Sequence, residues 1–199
     1  MFYNPPPITR AIIVANIVIF LLQGVSEDQL VSSYALWPWN TLFFHGWQII
    51  TYAFLHGSSM HLLLNMFGLY MFAPEIESTL GGQRFLIYYL VSIIGAALLH
   101  LSVMHISGSP LTYTVGASGG VFGVLLAYGM FFPQRRVLLL IPPIPMRAWV
   151  LVTLYGLAEL VMGVLGTAQG VAHFAHLGGM LAGFLLLLYW RVKPQDHME

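Results

Sequence analysis

The chain alternates between long apolar runs and short polar stretches, and most of the runs are long enough for membrane-spanning helices. A helix needs about 20 apolar residues to cross the hydrocarbon core of a bilayer. Unbroken apolar runs favour helices over a membrane barrel, whose strands alternate in polarity at every second residue. The pattern predicts an all-α membrane protein with a six-helix transmembrane bundle, its spans at about 8–25, 58–72, 85–104, 118–132, 148–165 and 171–190.

The stretches between the runs are interpreted as loops. Residues 26–55 begin with polar side chains and are then rich in aromatic ones, which favour the level of the lipid headgroups. We therefore expect this first loop to lie at the interface, partly embedded in the membrane; its aromatic residues include Tyr34, Trp37, Trp39 and Trp47. Three shorter stretches are expected to be linkers or turns: 73–83, 134–146 and 166–170.

Composition strengthens the membrane interpretation. The chain is 58% hydrophobic and 7% charged, whereas a soluble domain has about 25% charged residues. Lipid must therefore face most of its surface, and the first span is expected to be retained rather than cleaved as a signal. The chain has no cysteine, which excludes disulfides and a thiolate nucleophile. A net charge of zero argues against nucleic acid as a partner.

The positive charges predict the orientation of the spans. Lys and Arg are enriched on the cytoplasmic side of membrane proteins. If both termini are cytoplasmic, every Lys and Arg of the chain falls on that side: Arg10, Arg84, Arg135, Arg136, Arg147, Arg191 and Lys193. We expect residues 1–199 to form a single domain without an internal repeat.

Residues 116–123, Gly-Ala-Ser-Gly-Gly-Val-Phe-Gly, open the fourth run. Glycine lowers helix propensity by about 1 kcal/mol per residue relative to alanine, so four glycines here indicate that the backbone must approach another element closely. Gly119 and Gly123 are four residues apart, a spacing that lets membrane helices pack closely. Ser118 is the candidate nucleophile, near the outer end of its helix.

The sixth run supplies a candidate base at a similar depth. His176 lies about 9 Å along this helix from its outer end, and Gly179 and Gly183 repeat the spacing that permits close packing. A serine attacks a carbonyl only when a base takes its proton, and histidine suits that role. Ser118 and His176 are therefore expected to be nucleophile and general base.

These residues resemble those of the rhomboid intramembrane serine proteases, of the bacterial type with six spans. Gly116-Ala117-Ser118-Gly119 is similar to the family's nucleophile motif, and Ala175-His176 with its following glycines to the catalytic-histidine motif. His61-Leu62-Leu63-Leu64-Asn65, preceded by His56, is similar to the motif of the second helix. The resemblance covers nearly the whole chain. It implies hydrolysis of a peptide bond in or near the transmembrane segment of a substrate.

The resemblance also implies roles for residues around Ser118. The family's matching histidine and asparagine, here His61 and Asn65, help to stabilise the oxyanion together with the serine N–H. The two residues are four apart and so share a helix face; the alternative is that they only bond to neighbouring helices. Gly116 is expected to free the backbone where the oxyanion hole would form.

Phe122, one turn after Ser118, is expected by resemblance to pack on the His176 ring, although ordinary core packing is the alternative. His173 precedes His176 by three residues, but no His-Glu-x-x-His run or third ligand is apparent, so neither a metal nor a cofactor is predicted. Glu159 is the only acid within a predicted span. It could orient His176 as the acid of a triad does, but the family uses a dyad, which favours a structural hydrogen bond.

One departure from the family and several alternatives bear on function. Trp47-Gln48 stands where several rhomboids have Trp-Arg, so anchoring of the first loop by arginine is in doubt. Gly116 to Gly120 also fits the G-x-S-x-G elbow of soluble hydrolases, but that elbow follows a strand and this segment follows a polar loop. A transporter would have paired broken helices. The remaining alternative is a catalytically inactive rhomboid-like adaptor that binds transmembrane helices.

The predicted location is a prokaryotic inner membrane, as an integral multi-pass protein. Its expected partners are single-span membrane-protein substrates and the lipid bilayer. Irregular, hydrated chemistry at membrane depth requires a cavity. We expect a polar cavity that opens to the extracytoplasmic side and is lined by His56, His61, Asn65, Ser118 and His176.

Overall fold

The computed structural model describes residues 4–108, 112–138, 144–167 and 172–192. This part of the chain is mostly helical, as predicted. Its seven α-helices are α1 (Pro7–Tyr34), α2 (Gln48–Thr51), α3 (Ser59–Leu80), α4 (Gly82–Ser107), α5 (Ser118–Phe131), α6 (Ala148–Leu165) and α7 (His173–Tyr189), and Tyr52–Phe54 forms a 3-10 turn. Strands β1 (Arg136–Leu138) and β2 (Pro145–Arg147) pair in an antiparallel hairpin.

The helices have the polarity of a membrane protein. Within the described ranges, α1, α4 and α6 are long and apolar enough to cross a bilayer, while α5 and α7 are apolar but shorter. Their outward faces expose large apolar side chains such as Leu21, Val25, Leu63, Val161 and Leu185, whereas Asn16, Gln23, Asn65, Ser92 and Glu159 are buried. Large apolar side chains on the outside, together with polar side chains that face the interior, are expected of helices whose outer surface faces lipid.

The first loop is more ordered than the sequence suggested. The prediction of a loop over 26–55 is wrong for its beginning, because α1 continues to Tyr34 after a kink at Ser26. Gly and Ser close together commonly bend helices, and Gly24 with Ser26 provides that combination. Later in the loop, α2 and the 3-10 turn lead towards α3.

Two other predicted connections also contain regular structure. The linker expected at 73–83 is wrong, since α3 runs through Pro74 to Leu80 and Gly81 alone separates it from α4. Gly81 has φ +79°, a conformation that glycine adopts without the steric cost of a side chain. The connection at 134–146 includes β1 and the first two residues of β2. Residues 168–171, which hold most of the turn expected at 166–170, lie outside the described residues.

Small residues bring α4, α5 and α7 together. A Cβ atom at Gly179 of α7 would overlap the carbonyl oxygen of Gly119 in α5, so these two backbones are in direct contact. Gly123 of α5 lies against both Ser92 of α4 and the Gly179 carbonyl. Gly183, which was expected to help join α5 to α7, instead faces Tyr88 of α4. The close packing therefore involves three helices rather than two.

Polar side chains attach α1 to the rest of the protein at its start and in its second half. The Glu77 carboxylate, near the end of α3, accepts hydrogen bonds from the backbone N–H groups of Ile8 (3.0 Å) and Thr9 (2.7 Å). These donors at a helix start have no partner within the helix. Further along α1, Gln23 accepts from the His56 N–H at 2.9 Å and donates to its carbonyl at 3.3 Å. The second contact fixes the chain just before α3.

Candidate active site

Ser118 is the first residue of α5, and it meets His176 of α7. Its Oγ lies 2.8 Å from His176 Nε2, within hydrogen-bond distance. Ser118 is half-buried and His176 is buried. Because Ser118 opens its helix, its backbone N–H has no acceptor within that helix. The start of α5 therefore brings together a hydroxyl, an imidazole nitrogen and a backbone N–H at the end of a helix.

The turn before Ser118 depends on Gly116. Its φ is +128°, and a Cβ atom there would lie 2.6 Å from Cε1 of His61, so neither the backbone nor the space admits a side chain. The Gly116 N–H donates to the Tyr52 carbonyl at 3.0 Å. Gly116 thus lets the His61 ring lie against the chain two residues before Ser118, but its own N–H is already engaged.

His61 and Asn65 lie in the first two turns of α3, beside that turn. Asn65 is buried, and its Nδ2 donates one hydrogen bond to the His61 carbonyl at 3.0 Å, which leaves its second amide hydrogen for another acceptor. The His56 ring stands edge-on to the His61 ring, with centroids 5.0 Å apart. Burial and, to a smaller extent, the His61 charge lower the pKa of His56 to about 4. His56 is therefore neutral near pH 7.

Phe122 holds the His176 ring from one side. The two rings are stacked, with centroids 4.2 Å apart and planes within 5° of parallel. Phe122 also meets Tyr155 of α6 edge-on at 6.1 Å. The imidazole orientation is thus fixed by an aromatic face as well as by its contact with Ser118.

Glu159 of α6 lies behind His176, on the side away from Ser118. Its Oε2 is 2.6 Å from Nδ1 of His173 and 2.9 Å from Nδ1 of His176. The first contact is a hydrogen bond, whereas in the second the carboxylate oxygen lies off the N–H direction. His173 Nε2 is 3.1 Å from the Thr167 carbonyl oxygen. Ser118, His176, Glu159 and His173 form a continuous polar chain across three helices.

This arrangement corrects the sequence-based expectation that His173 has no third partner for a metal. One donor atom from each of Glu159, His173 and His176 lies within 4.8 Å of the others, and three protein donors are the number that a catalytic zinc site uses. Sequence reasoning did not predict that these three side chains meet, because Glu159 lies on α6 whereas both histidines lie on the next helix, α7. The available signal was an acid inside an apolar run, which rarely faces lipid.

Gln48, which stands where several rhomboids have arginine, is completely buried in the first loop. Its Oε1 accepts from the backbone N–H groups of Trp37 (3.3 Å) and His45 (3.2 Å). Its Nε2 donates to the carbonyls of Phe43 (2.8 Å) and Ser33 (3.3 Å). A neutral amide therefore ties this loop together.

The family model of the rhomboid domain matches residues 44–192 of this chain. Rhomboid protein 1, mitochondrial, of Saccharomyces cerevisiae is 34% identical over 141 residues, covering 69% of this chain and 40% of the yeast protein. Rhomboid protease GlpG of Klebsiella pneumoniae is 29% identical over 189 residues, covering 92% of this chain and 63% of that protein. RHOMBOID-like protein 4 of Arabidopsis thaliana is 33% identical over 149 residues, covering 75% and 35%. The chain thus spans less than two thirds of the length of each relative.

Proposed function

This chain belongs to the rhomboid family, and from that premise we propose that it is an intramembrane serine endopeptidase with Ser118 as nucleophile and His176 as general base and acid. Its apolar helices and its family make it a multi-pass membrane protein. The observation that carries the proposal is the 2.8 Å contact between Ser118 Oγ and His176 Nε2. A serine paired with an imidazole is the arrangement that nucleophilic acyl transfer requires.

The reaction proceeds in two halves. Ser118 Oγ attacks the scissile carbonyl carbon while its proton passes to His176 Nε2, and the carbonyl π electrons move to the oxygen. His176 then gives this proton to the amide nitrogen as the C–N bond breaks, which leaves an acyl-enzyme on Ser118. In the second half, a water molecule replaces the amine and His176 takes and returns its proton in the same way.

The developing oxyanion needs hydrogen-bond donors that are already in place. The Ser118 N–H, the second amide hydrogen of Asn65 and the His61 ring are our candidates. Removing one such donor in serine hydrolases costs about 3–4 kcal/mol of transition-state stabilisation. Gly116 has a shaping role, since its own N–H is engaged by Tyr52. Gly119 and Gly179 serve the dyad by allowing α5 and α7 to touch.

We also propose six spans within one domain comprising residues 1–199, with both termini in the cytoplasm. Contacts at one end of the bundle support this arrangement. Glu77 of α3 caps the start of α1, and Arg84 near the start of α4 lies 5.9 Å from the Trp190 ring, just after α7. Arg135, just after α5, pairs with Glu75 of α3. Ser118 then belongs to the extracytoplasmic end of a prokaryotic inner-membrane protein.

The proposed substrates are single-span membrane proteins, cleaved in or near their transmembrane segments. The rival function is that of an inactive adaptor, which would bind such helices without hydrolysis. Both members of the dyad are present and in contact, and this observation favours the protease.

We expect Ser118→Ala and His176→Ala each to reduce cleavage of a model transmembrane substrate by at least about 1,000-fold, because each removes one of two groups that act as a unit. The purified protein in liposomes is incubated with the substrate, and product is quantified. Labelling by a fluorophosphonate probe, which reacts with an activated serine, is measured in parallel.

Ser102→Ala is the matched control, because Ser102 is a half-buried serine of α4 whose hydroxyl donates to the Leu98 carbonyl of its own helix. This variant should cleave and label like the wild type. Wild-type protein that binds a substrate helix but neither cleaves it nor reacts with the probe would instead be an adaptor.

A further inference from the structure

Glu159 is a buried carboxylate in a helix that otherwise exposes much of its length to lipid. Its side chain is 8% exposed, and the neighbouring exposed residues of α6 include Leu157, Leu160 and Val161. A charged or strongly polar side chain at membrane depth is costly and is found where it has a partner and a function. The two polar groups in contact with Glu159 are imidazoles, and one of them belongs to the proposed dyad.

We propose that Glu159 is a positioning residue for His176 and that His173 holds the Glu159 carboxylate in place, an inference that rests on the proposed protease function. The acting unit is then Ser118–His176–Glu159 with His173 as an additional support. It differs from a dyad in having an anion on the far side of the base.

Hydrogen-bond complementarity fixes where the protons lie on His176. For Ser118 to lose its proton, its O–H must donate to Nε2, so Nε2 is unprotonated before the reaction. In a neutral imidazole the proton is then on Nδ1, and Nδ1 is the nitrogen that lies 2.9 Å from Glu159 Oε2. A carboxylate at this position favours the tautomer that leaves Nε2 free to act as a base.

The hydrogen-bond partners of His173 likewise show where its protons lie. The Thr167 carbonyl can only accept, so His173 Nε2, 3.1 Å away, carries a hydrogen. The 2.6 Å contact between His173 Nδ1 and Glu159 Oε2 then requires one more proton between these two atoms. A hydrogen bond to His173 thus holds this carboxylate oxygen and restricts its position opposite His176.

During the reaction His176 becomes positively charged when it takes the Ser118 proton. The groups that face it are Ser118 from α5, Glu159 from α6, His173 from α7, and more distantly His61 from α3 and His100 from α4. Among these described groups, Glu159 is the one that can carry a negative charge. Although this carboxylate shares a proton with His173, its oxygen faces His176 Nδ1. It therefore stabilises the imidazolium in the transition state more than the neutral ring in the ground state, which is the condition for catalysis.

A metal ion is a weaker explanation for this cluster. Nitrogen and oxygen ligands of tetrahedral zinc lie about 2.0–2.1 Å from the ion and so about 3.4 Å from one another. Glu159 Oε2 is closer than this to both histidine nitrogens. These are distances of direct hydrogen-bonding or ion-pair contact, and an ion would have to separate the three groups.

The test is Glu159→Gln, which keeps the shape of the side chain and removes its charge. We measure kcat and KM for the transmembrane substrate in liposomes across the pH range around neutrality. We expect kcat to fall about 100-fold with KM unchanged, since the substrate does not touch this residue. The acidic limb of the pH profile should move to lower pH, because a neutral amide no longer favours the protonated form of His176.

Glu159→Asp is the second variant, because it keeps the charge even if Glu159→Gln fails to fold. It should retain the acidic limb of the wild type at a reduced kcat. Glu77→Gln is the control for loss of a buried carboxylate, since Glu77 lies about 24 Å from His61 along α3. It should lower the Tm while the acidic limb stays where it is in the wild type.

Three results would overturn the inference. The first is a Glu159→Gln variant with the kcat and pH profile of the wild type while Ser118→Ala is inactive. This result would contradict the role of Glu159 but not the proposed protease function. The second is the same pH profile for Glu159→Asp and Glu159→Gln. The third is a change in wild-type activity on removal of divalent ions with a chelator, which would assign the cluster to a metal. A wild-type protein without any activity would overturn the proposed function as well.

Discussion

At the scale of single residues, the distance between Ser118 and His176 depends on two nearby glycines, which have no side chain to keep α5 and α7 apart. The Gly179 backbone touches the Gly119 backbone, and the two reacting residues lie one turn or less from this contact. A helix pair separated by ordinary side chains has axes about 8–10 Å apart. Glycine at both positions lets α5 and α7 approach closely enough for a 2.8 Å hydrogen bond.

Gly179→Ala should therefore separate the dyad. The new methyl group would overlap the Gly119 carbonyl oxygen, and a rigid backbone yields less easily than a side chain, so we expect a loss of about 3 kcal/mol in stability. The Tm in detergent and the rate of fluorophosphonate labelling should both fall. Gly46→Ala is the control, because a Cβ atom at Gly46 meets nothing within 4 Å; a similar loss in that variant would show that the effect is not specific to the helix contact.

The sequence was informative about residues whose chemistry depends on local spacing. Two short patterns predict a polar group beside a close helix contact: Ser118 with Gly119 directly after it, and His176 with Gly179 three residues later. The structure brings these groups together. The position of Glu159 relative to His176 depends instead on how α6 turns into α7. No local spacing encodes that geometry, so the sequence raised contact with His176 only as the less favoured alternative and did not predict the contact with His173.

At the scale of elements, the single side chain of Gln48 connects several segments of the first loop. Four backbone groups from different parts of the loop bond to one side-chain amide. A loop at membrane depth must satisfy its polar backbone within the protein, because lipid offers no hydrogen bonds. The amide can both donate and accept, so it serves N–H and C=O groups alike.

Gln48→Ala should loosen this loop. It removes the acceptor of the Trp37 and His45 N–H groups and the donor to the Phe43 carbonyl, whereas the Ser33 carbonyl keeps its hydrogen bond from Trp47 Nε1. A polar group that loses its partner away from water costs about 1–3 kcal/mol. We expect a lower Tm and faster cutting between α1 and α3 by an added protease. Gln29→Ala removes the same side chain from an exposed position of α1 and should change neither quantity. Unchanged cutting in Gln48→Ala would mean that other contacts hold the loop.

Hydropathy predicted where helices are apolar, but it did not predict where they end. α1 and α3 both continue past their apolar parts, to Tyr34 and Leu80. A helix can continue into polar surroundings because its backbone hydrogen bonds form there as well. A change from apolar to polar residues therefore marks the boundary of the membrane and not the end of the helix. The end of α3 was set by Gly81, whose positive φ ends the helix. By contrast, α6 begins and ends as predicted, where Gly166 caps it.

At the scale of the whole molecule, the two ends of the bundle differ in charge. The described arginines lie at or next to the helix ends that meet through the Glu77, Glu75 and Trp190 contacts. The opposite end carries the first loop, Ser118 and the polar chain behind His176. A bundle with this asymmetry has a preferred direction in the membrane.

Cysteine labelling tests this direction, and the absence of native cysteine makes single-cysteine variants unambiguous. Asn40→Cys reports on the first loop and Gln134→Cys on the connection before β1, and both positions are exposed. A membrane-impermeant maleimide added to intact cells should label Asn40→Cys only, and both variants after the cells are opened. Labelling of Gln134→Cys in intact cells would reverse the proposed orientation.

The polar chain behind Ser118 draws its members from three helices, with Glu159 on α6 opposite His176 on α7. α6 exposes large apolar side chains along much of its length, so in a membrane the thickness of the bilayer and neighbouring transmembrane segments would act directly on its position. A displacement of about 1 Å would carry Oε2 out of direct contact with His176 Nδ1, which is now 2.9 Å away. With Glu159 in the role proposed above, the readiness of the Ser118 hydroxyl to react is linked to the mechanical state of the surrounding membrane.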